Sequence, residues 1–213
     1  VGRCADQFAA LGVGPGDRVA AVLPNTVEAI IAMLATNALG AVWSSCSPDF
    51  GQEGILDRFS QIQPKILLTT LAYIYNGKLF DCRATIDAVR KNLPHLKACI
   101  GVDPCLSGLR LEGCLAWEDL LKKGNARSFK TLATPFDHPL YILFSSGTTG
   151  KPKCIVHSVG GTLLQHKKEL MLHSNIGPDG RLLYFTTCGW MMWNWMVSAL
   201  STGASLVLFE GSI

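Results

Sequence analysis

Short apolar runs alternate with stretches of helical spacing along the first seventy residues. Residues 19–23, 41–45 and 65–70 are apolar runs of strand length, and stretches with helical spacing lie between them at residues 25–39 and 51–61. Another helical stretch, residues 1–11, precedes the first run and stops at Gly12. Unbroken apolar strands that alternate with helices are typical of a parallel sheet covered on both faces. The pattern therefore predicts an α/β fold with mostly parallel strands.

The stretch at residues 25–39 also carries signals for its two ends. Asn25 and Glu28 have the spacing of a capping box, in which the two side chains satisfy free backbone N–H groups at a helix start. Gly40 follows the last apolar position, where a glycine commonly takes the left-handed conformation that ends a helix. Because this helix is apolar on most faces, we expect it to be buried.

The alternation of predicted strands and helices is less clear in the middle of the chain and resumes afterwards. We predict further helices over residues 85–93, 117–121, 162–172 and 191–200, and further strands over 98–102, 141–144, 154–156, 181–185 and 204–209. Residues 122–139 have the composition of a linker, so we predict two α/β subdomains, 1–135 and 136–213. The chain begins with Val1 and ends at Ile213, directly after a predicted strand. We therefore expect a piece of a longer protein, incomplete at the start of the first subdomain and at the end of the second.

Composition and charge exclude several classes of protein. With 48% hydrophobic and 16% charged residues among 213, the chain can bury a sizeable core. Its net charge of +3 comes without a basic block, so nothing in it predicts nucleic-acid binding. The longest mainly apolar stretch, residues 29–43, is interrupted by polar residues and is too short to span a membrane. We expect no membrane association, and the sequence predicts no particular oligomeric state.

The eight cysteines form neither a C-x-x-C motif nor a Cys/His cluster with zinc spacing. No basic-then-apolar signal opens the chain. We interpret the cysteines as reduced thiols and expect a cytosolic protein without a metal site of its own.

The candidate chemistry lies between two apolar runs, in the sequence FSSGTTGKPK. Its glycines can leave backbone N–H groups uncovered, its hydroxyls add donors and its lysines add positive charge. A polyphosphate suits such a set of donors. The predicted phosphate-binding residues are Ser145, Ser146, Gly147, Thr148, Thr149, Gly150, Lys151 and Lys153.

The spacing of this loop differs from that of a Walker A loop. Only two residues separate Gly147 from Gly150, and Pro152 follows Lys151, whereas a Walker loop has four residues between the glycines and opens a helix. The β-branched residues after the loop favour a second strand. We therefore predict strand, loop and strand; the alternative is an ordinary hairpin turn rich in Gly, Ser and Thr. A serine hydrolase is excluded because the chain has no G-x-S-x-G elbow.

The loop resembles the signature phosphate loop of the adenylate-forming enzymes, a superfamily that includes acyl-CoA synthetases, peptide-synthetase adenylation domains and luciferases. Residues 43–51 (WSSCSPDFG) and 189–195 (GWMMWNW) resemble the branch of acyl-CoA synthetases that acts on acetoacetate. The resemblance extends over essentially the whole chain. It implies part of the large N-terminal domain of such an enzyme.

The resemblance also implies roles for residues outside the loop. Related enzymes line their acyl pocket after a matching Gly-Trp, which assigns Trp190, Met191 and Met192 to the acid substrate; core filling is the alternative. Phe50 and Gly51 correspond to a stretch near the pantetheine tunnel of coenzyme A, with a plain helix cap as the alternative. Lys78 corresponds to an arginine of related enzymes that meets the CoA nucleotide. His157, directly after the strand that leaves the loop, is a candidate polar group near the phosphates from its sequence position alone. A solvated lysine and a structural histidine are the alternatives there.

The activity implied by the resemblance is an ATP-dependent ligase. Acetoacetate would react with ATP, in the presence of Mg²⁺, to give an acyl adenylate and pyrophosphate. Coenzyme A would then displace AMP to form the thioester. The family's adenine motif and adenylation lysine lie downstream of Ile213 in this resemblance, so no catalytic residue is assigned within the chain. The competing interpretation is a non-catalytic partial protein that binds nucleotide weakly or partners the complete enzyme.

Overall fold

The computed structural model describes residues 1–126, 130–145 and 150–211. The helices are α1 (Gly2–Ala10), α2 (Val27–Ala38), α3 (Gln52–Ile62), α4 (Arg83–Lys91), α5 (Trp117–Lys123), α6 (Val159–Lys168) and α7 (Met191–Ser198). The strands are β1 (Arg18–Val22), β2 (Val42–Cys46), β3 (Ile66–Thr70), β4 (Ala72–Tyr75), β5 (Lys78–Asp81), β6 (Ala98–Val102), β7 (Cys114–Ala116), β8 (Pro139–Ser145), β9 (Lys153–Ser158), β10 (Arg181–Leu183) and β11 (Ser205–Val207). A π-helical turn (Glu169–His173) extends α6, and a 3₁₀ turn (Ala199–Thr202) extends α7.

Seven strands form one sheet in the order β7-β6-β3-β1-β2-β8-β9. All neighbours are parallel except β8 and β9, which pair antiparallel. Two small sheets stand apart, a parallel pair β10-β11 and an antiparallel pair β4-β5. The predicted α/β class with a largely parallel sheet is confirmed.

Alternate residues of a strand pack into two separate hydrophobic layers, one on each face of the sheet. The first layer contains Val19 and Ala21 of β1 and Leu23 directly after it, which pack with α1, α2, α5 and α7. Ala20 and Val22 face the opposite cluster, which α3 and α4 cover. Since side chains alternate between the faces of a strand, unbroken apolar runs are required when both faces are buried.

Helix α2 confirms one predicted end and corrects the other. Gly40 has φ +68°, the left-handed conformation expected after the helix. The predicted capping box is wrong, because Thr26 occupies the N-cap position and no side chain caps the helix. The Asn25 side chain instead accepts a hydrogen bond from Trp193 Nε1 (2.9 Å) and donates one to the Phe209 carbonyl (3.3 Å). A buried indole N–H needs an acceptor, and Asn25 supplies it.

Two features in the middle of the chain were not predicted from the sequence. Strands β4 and β5 form a hairpin whose two turn residues, Asn76 and Gly77, both have positive φ. Strand β7 is a three-residue edge strand. The subdomain division at residue 135 stays a prediction, and the seven-stranded sheet continues across that position through β8 and β9.

Candidate functional site

The predicted phosphate loop joins β8 to β9. Ser145 pairs with Lys153 at the end of this antiparallel ladder, so strand, loop and strand are confirmed on either side of the loop. Because β8 runs parallel to β2, the loop leaves the sheet at the carboxyl edge, where ligands of open α/β sheets bind. Ser146, Gly147, Thr148 and Thr149 lie outside the described residues, whereas Ser145, Gly150, Lys151 and Lys153 lie within them.

Helix α3 braces both ends of this loop. Arg58 places its guanidinium 5.9 Å from the ring centre of Phe144 on β8 and 4.5 Å from that of Phe50. On the other side, Gln61 Nε2 donates a hydrogen bond to the Pro152 carbonyl (2.9 Å). The loop is therefore anchored at both ends by one helix.

The two lysines of the loop point toward solvent. The Lys151 side chain is 72% exposed and its Nζ lies 3.9 Å from Asp57 Oδ1, a long contact for an ion pair. Lys153 is exposed at the start of β9. An exposed pair at this distance contributes little to stability, so the ammonium groups can turn toward an anionic ligand at small cost.

The Trp-rich segment, residues 189–195, is partly built into the core. Trp193 is fully buried, stacks on Trp43 with ring centres 6.5 Å apart and donates to Asn25. Next to it, Ser45 Oγ accepts from Trp43 Nε1 (3.1 Å) and donates to the Cys188 carbonyl (2.7 Å). The core interpretation therefore holds for Trp193.

The residues predicted to line the acyl pocket lie at the start of α7. Trp190 occupies the N-cap position and is 63% exposed, while Met191 and Met192 in the first turn are half-buried. Met191 packs against the larger hydrophobic cluster. These three residues share one helix end, at which a ligand could contact them.

A cavity of about 470 Å³ lies at the carboxyl edge of the sheet. The turn after β2, the β4-β5 hairpin and the segments after β10 and β11 line it, with Ser47, Pro48, Asp49, Tyr73, Tyr75, Phe185, Thr186, Thr187, Phe209, Glu210 and Gly211. The predicted CoA residues Phe50 and Gly51 follow this turn directly. Lys78 pairs with Tyr75 in the hairpin and is exposed. Phe50, Gly51 and Lys78 are not among the residues that line the cavity, and they lie on segments next to its lining.

Polar groups of this cavity were missed by sequence reasoning. Glu210 accepts a hydrogen bond from the Asn25 backbone N–H (2.8 Å), and desolvation raises the pKa of its carboxyl. Tyr73 stacks on Phe80 with ring centres 5.2 Å apart. The Asn76-Gly77 dipeptide, typical of a two-residue hairpin turn, is the signal that could have located the tyrosines of β4.

Two histidines lie on the elements that follow the loop. His157 is half-buried with its ring centre 5.0 Å from that of Tyr141, and burial lowers its pKa. His166 was not singled out from sequence; it is buried in α6, and its Nδ1 lies 2.8 Å from Ser198 Oγ. Burial, together with the nearby His157, lowers the pKa of His166 to about 4. Both rings are therefore neutral at physiological pH.

Two negative findings concern the described ranges alone. Within residues 1–126, 130–145 and 150–211, no group of three His, Cys, Asp or Glu side chains is arranged to hold a metal ion. No helix in the same ranges is long and apolar enough to cross a membrane.

Comparison with known proteins places this site in a family. The AMP-binding enzyme family matches residues 1–213, and the chain belongs to it. Acetoacetyl-coenzyme A synthetase of Rhizobium meliloti (strain 1021) is 51% identical over 214 residues, covering 100% of this chain and 33% of the relative. Acetoacetyl-CoA synthetase of Mus musculus is 51% identical over 210 residues, covering 95% of this chain and 31% of the relative.

A solved structure agrees with the fold. The acetoacetyl-CoA synthetase from Streptomyces lividans matches with a TM-score of 0.93 and 46% identity, over 99% of this chain and 33% of that chain. The chain thus spans about one third of the length of the relatives it matches. The expected similarity to adenylate-forming acyl-CoA synthetases is confirmed.

Proposed function

We propose that this chain carries the phosphate-binding loop of an ATP-dependent ligase that joins acetoacetate to coenzyme A. The ligase is a longer protein, called the intact protein below. The observation that carries the proposal is a loop rich in hydroxyls and lysines on a braced stem at the ligand edge of an AMP-binding enzyme sheet. The names of relatives at 51% identity support acetoacetate and coenzyme A as the substrates.

The proposed reaction has two displacements. An oxygen of the acetoacetate carboxylate attacks the α-phosphorus of ATP, and pyrophosphate leaves with the electron pair of the broken P–O bond. The sulfur of coenzyme A then attacks the acyl carbon, the thiol proton is released and AMP departs. Both steps develop negative charge on phosphate oxygens, which fixed N–H groups, hydroxyls and lysines stabilise.

The loop residues bind the β and γ phosphates in this proposal. Ser145, Lys151 and Lys153 stand at the ends of the loop, and Ser146 to Gly150 supply the remaining hydroxyl and backbone donors. A carboxylate is already deprotonated and is repelled by a polyphosphate, so charge neutralisation and alignment matter more than acid–base catalysis. Mg²⁺ would enter as its complex with ATP, since this ion is commonly held by substrate phosphates and one or two carboxylates.

The other predicted residues bind the acid and coenzyme A. Trp190, Met191 and Met192 shape the acyl pocket, and the exposure of Trp190 leaves its ring available to a ligand. Phe50, Gly51 and Lys78 contact coenzyme A beside the cavity that the turn after β2 and the β4-β5 hairpin line. The size of this cavity suits a slender chain such as pantetheine.

The cytosol is the proposed compartment. All eight cysteines, which lie within the described ranges, are free thiols in the structure. Proteins of oxidising compartments generally pair their cysteines.

The test compares the 213-residue chain with the intact protein. We expect acetoacetate-dependent release of pyrophosphate and formation of the thioester from the intact protein. The chain alone should give neither, because positioning of ATP and acid in one assembly is worth about 7–11 kcal/mol. Exposed apolar side chains at the end of β10 (Leu183) and directly after it (Tyr184, Phe185) should also favour aggregation of the isolated chain.

A result from either the intact protein or the isolated chain can contradict the proposal. An intact protein that binds ATP weakly and releases no pyrophosphate with any acid favours the non-catalytic interpretation. Turnover by the isolated chain within about 10-fold of the intact protein, equivalent to about 1.4 kcal/mol, contradicts the requirement for the longer protein.

A further inference from the structure

Two of the eight cysteines face each other across neighbouring strands. Cys99 on β6 and Cys114 on β7 are direct partners in the parallel register. Residues directly opposite on adjacent strands point to the same face, with a backbone separation of about 4.8 Å. This separation lies within the range of about 4.4–6.8 Å between Cα atoms that a disulfide requires.

The two thiols differ in their surroundings. Cys99 is 6% exposed under α4, whereas Cys114 is half-buried at the edge of the sheet. The interaction between the two neighbouring thiols is the largest influence on both: it lowers the pKa of Cys114 and raises that of Cys99. Cys114 is therefore the thiol that loses its proton first, and the thiolate is the reactive form of cysteine.

Arg90 on α4 adds positive charge beside the pair. Its guanidinium forms an ion pair with Asp87 Oδ1 at 2.7 Å and lowers the pKa of the Cys114 thiol electrostatically. Asp87 acts in the opposite sense on Cys114. Gly113, with φ +76°, permits this approach, because a Cβ at that position would collide with the Arg90 guanidinium.

Both thiols are accessible to small molecules. Cys114 is partly exposed at the edge of the sheet. Cys99 lines an open cavity of about 300 Å³ together with Arg90 and Gly113. The cavity adjoins the first residues of β6, whereas the phosphate loop leaves the opposite, carboxyl edge of the sheet. A small oxidant can thus reach the thiols without entering the proposed ligand site.

We propose that Cys99 and Cys114 form an oxidisable dithiol that reacts with hydroperoxides. The Cys114 thiolate attacks one oxygen of hydrogen peroxide, the O–O bond breaks and hydroxide leaves, which oxidises Cys114 to a sulfenic acid. The Cys99 sulfur then attacks the Cys114 sulfur, the S–O bond breaks and water forms with the Cys99 proton. The balance is two thiols and one peroxide giving one disulfide and two waters.

The test treats the native protein with hydrogen peroxide, alkylates the remaining thiols and maps the peptides by mass spectrometry. We expect a linked Cys99–Cys114 peptide as the main product, and its loss after dithiothreitol. In Cys99→Ser, Cys114 should accumulate as a sulfenic acid that dimedone traps. Cys114→Ser should lose both products, and Cys154→Ser, which removes an exposed thiol elsewhere, should retain the linked peptide.

Samples in urea provide the reference for an unfolded chain, in which the thiols pair according to their separation along the sequence. A native sample that yields the same mixture as the urea sample overturns the proposal. Oxidation of Cys154 with Cys99 and Cys114 still alkylated overturns it as well. None of these readouts depends on ATP, acetoacetate or coenzyme A, so the result is independent of the proposed ligase activity.

Discussion

The phosphate-loop stem and the Trp-rich segment differ in how the fold holds them. The stem, β8 and β9 near the loop, is held at its tip by exposed or half-exposed contacts from α3, such as Gln61 to the Pro152 carbonyl. The Trp-rich segment is held by a buried stack and hydrogen bonds, with Trp193 between Trp43 and Asn25. Both segments carry the resemblance to the same family. The contacts of Trp193 are fully buried, whereas those from α3 to the tip of the stem are not.

Because the two segments differ in burial, function and stability can be tested separately in this chain. Substitutions of the exposed Lys151 and Lys153 should change catalysis while folding stays intact. Substitutions in the Trp-rich segment should divide by burial, with Trp193 affecting stability and Trp190 affecting the ligand.

Trp193→Ala should destabilise the protein by about 3–5 kcal/mol. It leaves a large cavity and removes the indole N–H that donates a hydrogen bond to the Asn25 side-chain oxygen. Trp190→Ala is the matched control, since its side chain is 63% exposed and should change stability by about 0.5 kcal/mol or less. Urea titrations followed by circular dichroism measure both. Equal losses in the two variants would remove the distinction between core and surface within this segment.

His166 should make stability depend on pH. Its folded pKa of about 4 lies below the unfolded value of 6.5, so its contribution is present above pH 6.5 and is lost as pH falls toward 4. Between pH 7.5 and 5, this difference in pKa lowers the free energy of unfolding by about 2 kcal/mol. The unfolding free energy of His166→Gln should lack this part of the pH dependence, whereas exposed His95→Gln should keep it. Identical pH profiles in all three proteins would refute a buried neutral His166.

Met191→Ala and Met192→Ala in the intact protein should change the preference for acetoacetate over longer acids. Removing methylene groups from a small pocket changes discrimination by about 10-fold or more. The ratio of kcat/KM values measures it, and Met171→Ala, half-exposed on the turn after α6, is the control. An unchanged ratio in both variants places the acyl pocket elsewhere.

Gln61→Ala should have the smallest effect. It removes the hydrogen bond to the Pro152 carbonyl, which is worth about 1 kcal/mol or less at an exposed site. We expect a KM for ATP raised by about 2–5-fold in the intact protein, with unfolding nearly unchanged. Ser60→Ala on the same helix, whose hydroxyl bonds only within α3, is the control. A KM that does not move would show that α3 does not position the loop.

The sequence was sufficient for the central layers of the fold. Short continuous apolar runs such as residues 19–23, separated by helical stretches, are typical of strands buried on both faces, and β1 lies between β2 and β3 accordingly. The apolar run at residues 141–144 and the β-branched residues at 154–156 likewise predicted a strand on each side of the loop. Local patterns sufficed there because the determining interactions are local or depend on burial alone.

Interactions between distant segments could not be predicted in this way. Asn25 has the spacing of a helix cap, yet its amide is bound by Trp193, 168 residues away. The cavity at the carboxyl edge likewise combines Asp49, Tyr73 and Glu210 from three separate segments. Such contacts depend on strand order, and periodicity carries no information about strand order.

The most direct test of the central claim is acetoacetate-dependent exchange of pyrophosphate with ATP in the intact protein carrying Thr148→Ala and Lys153→Ala. Loss of preorganised phosphate donors should lower the exchange rate by at least about 10-fold. Lys123→Ala, an exposed lysine at the end of α5, is the matched control and should exchange at the normal rate. The urea midpoint should be the same in all three proteins, since Lys153 is exposed. An exchange rate in the double variant equal to that of the parent would contradict the assignment of this loop to the phosphates of ATP.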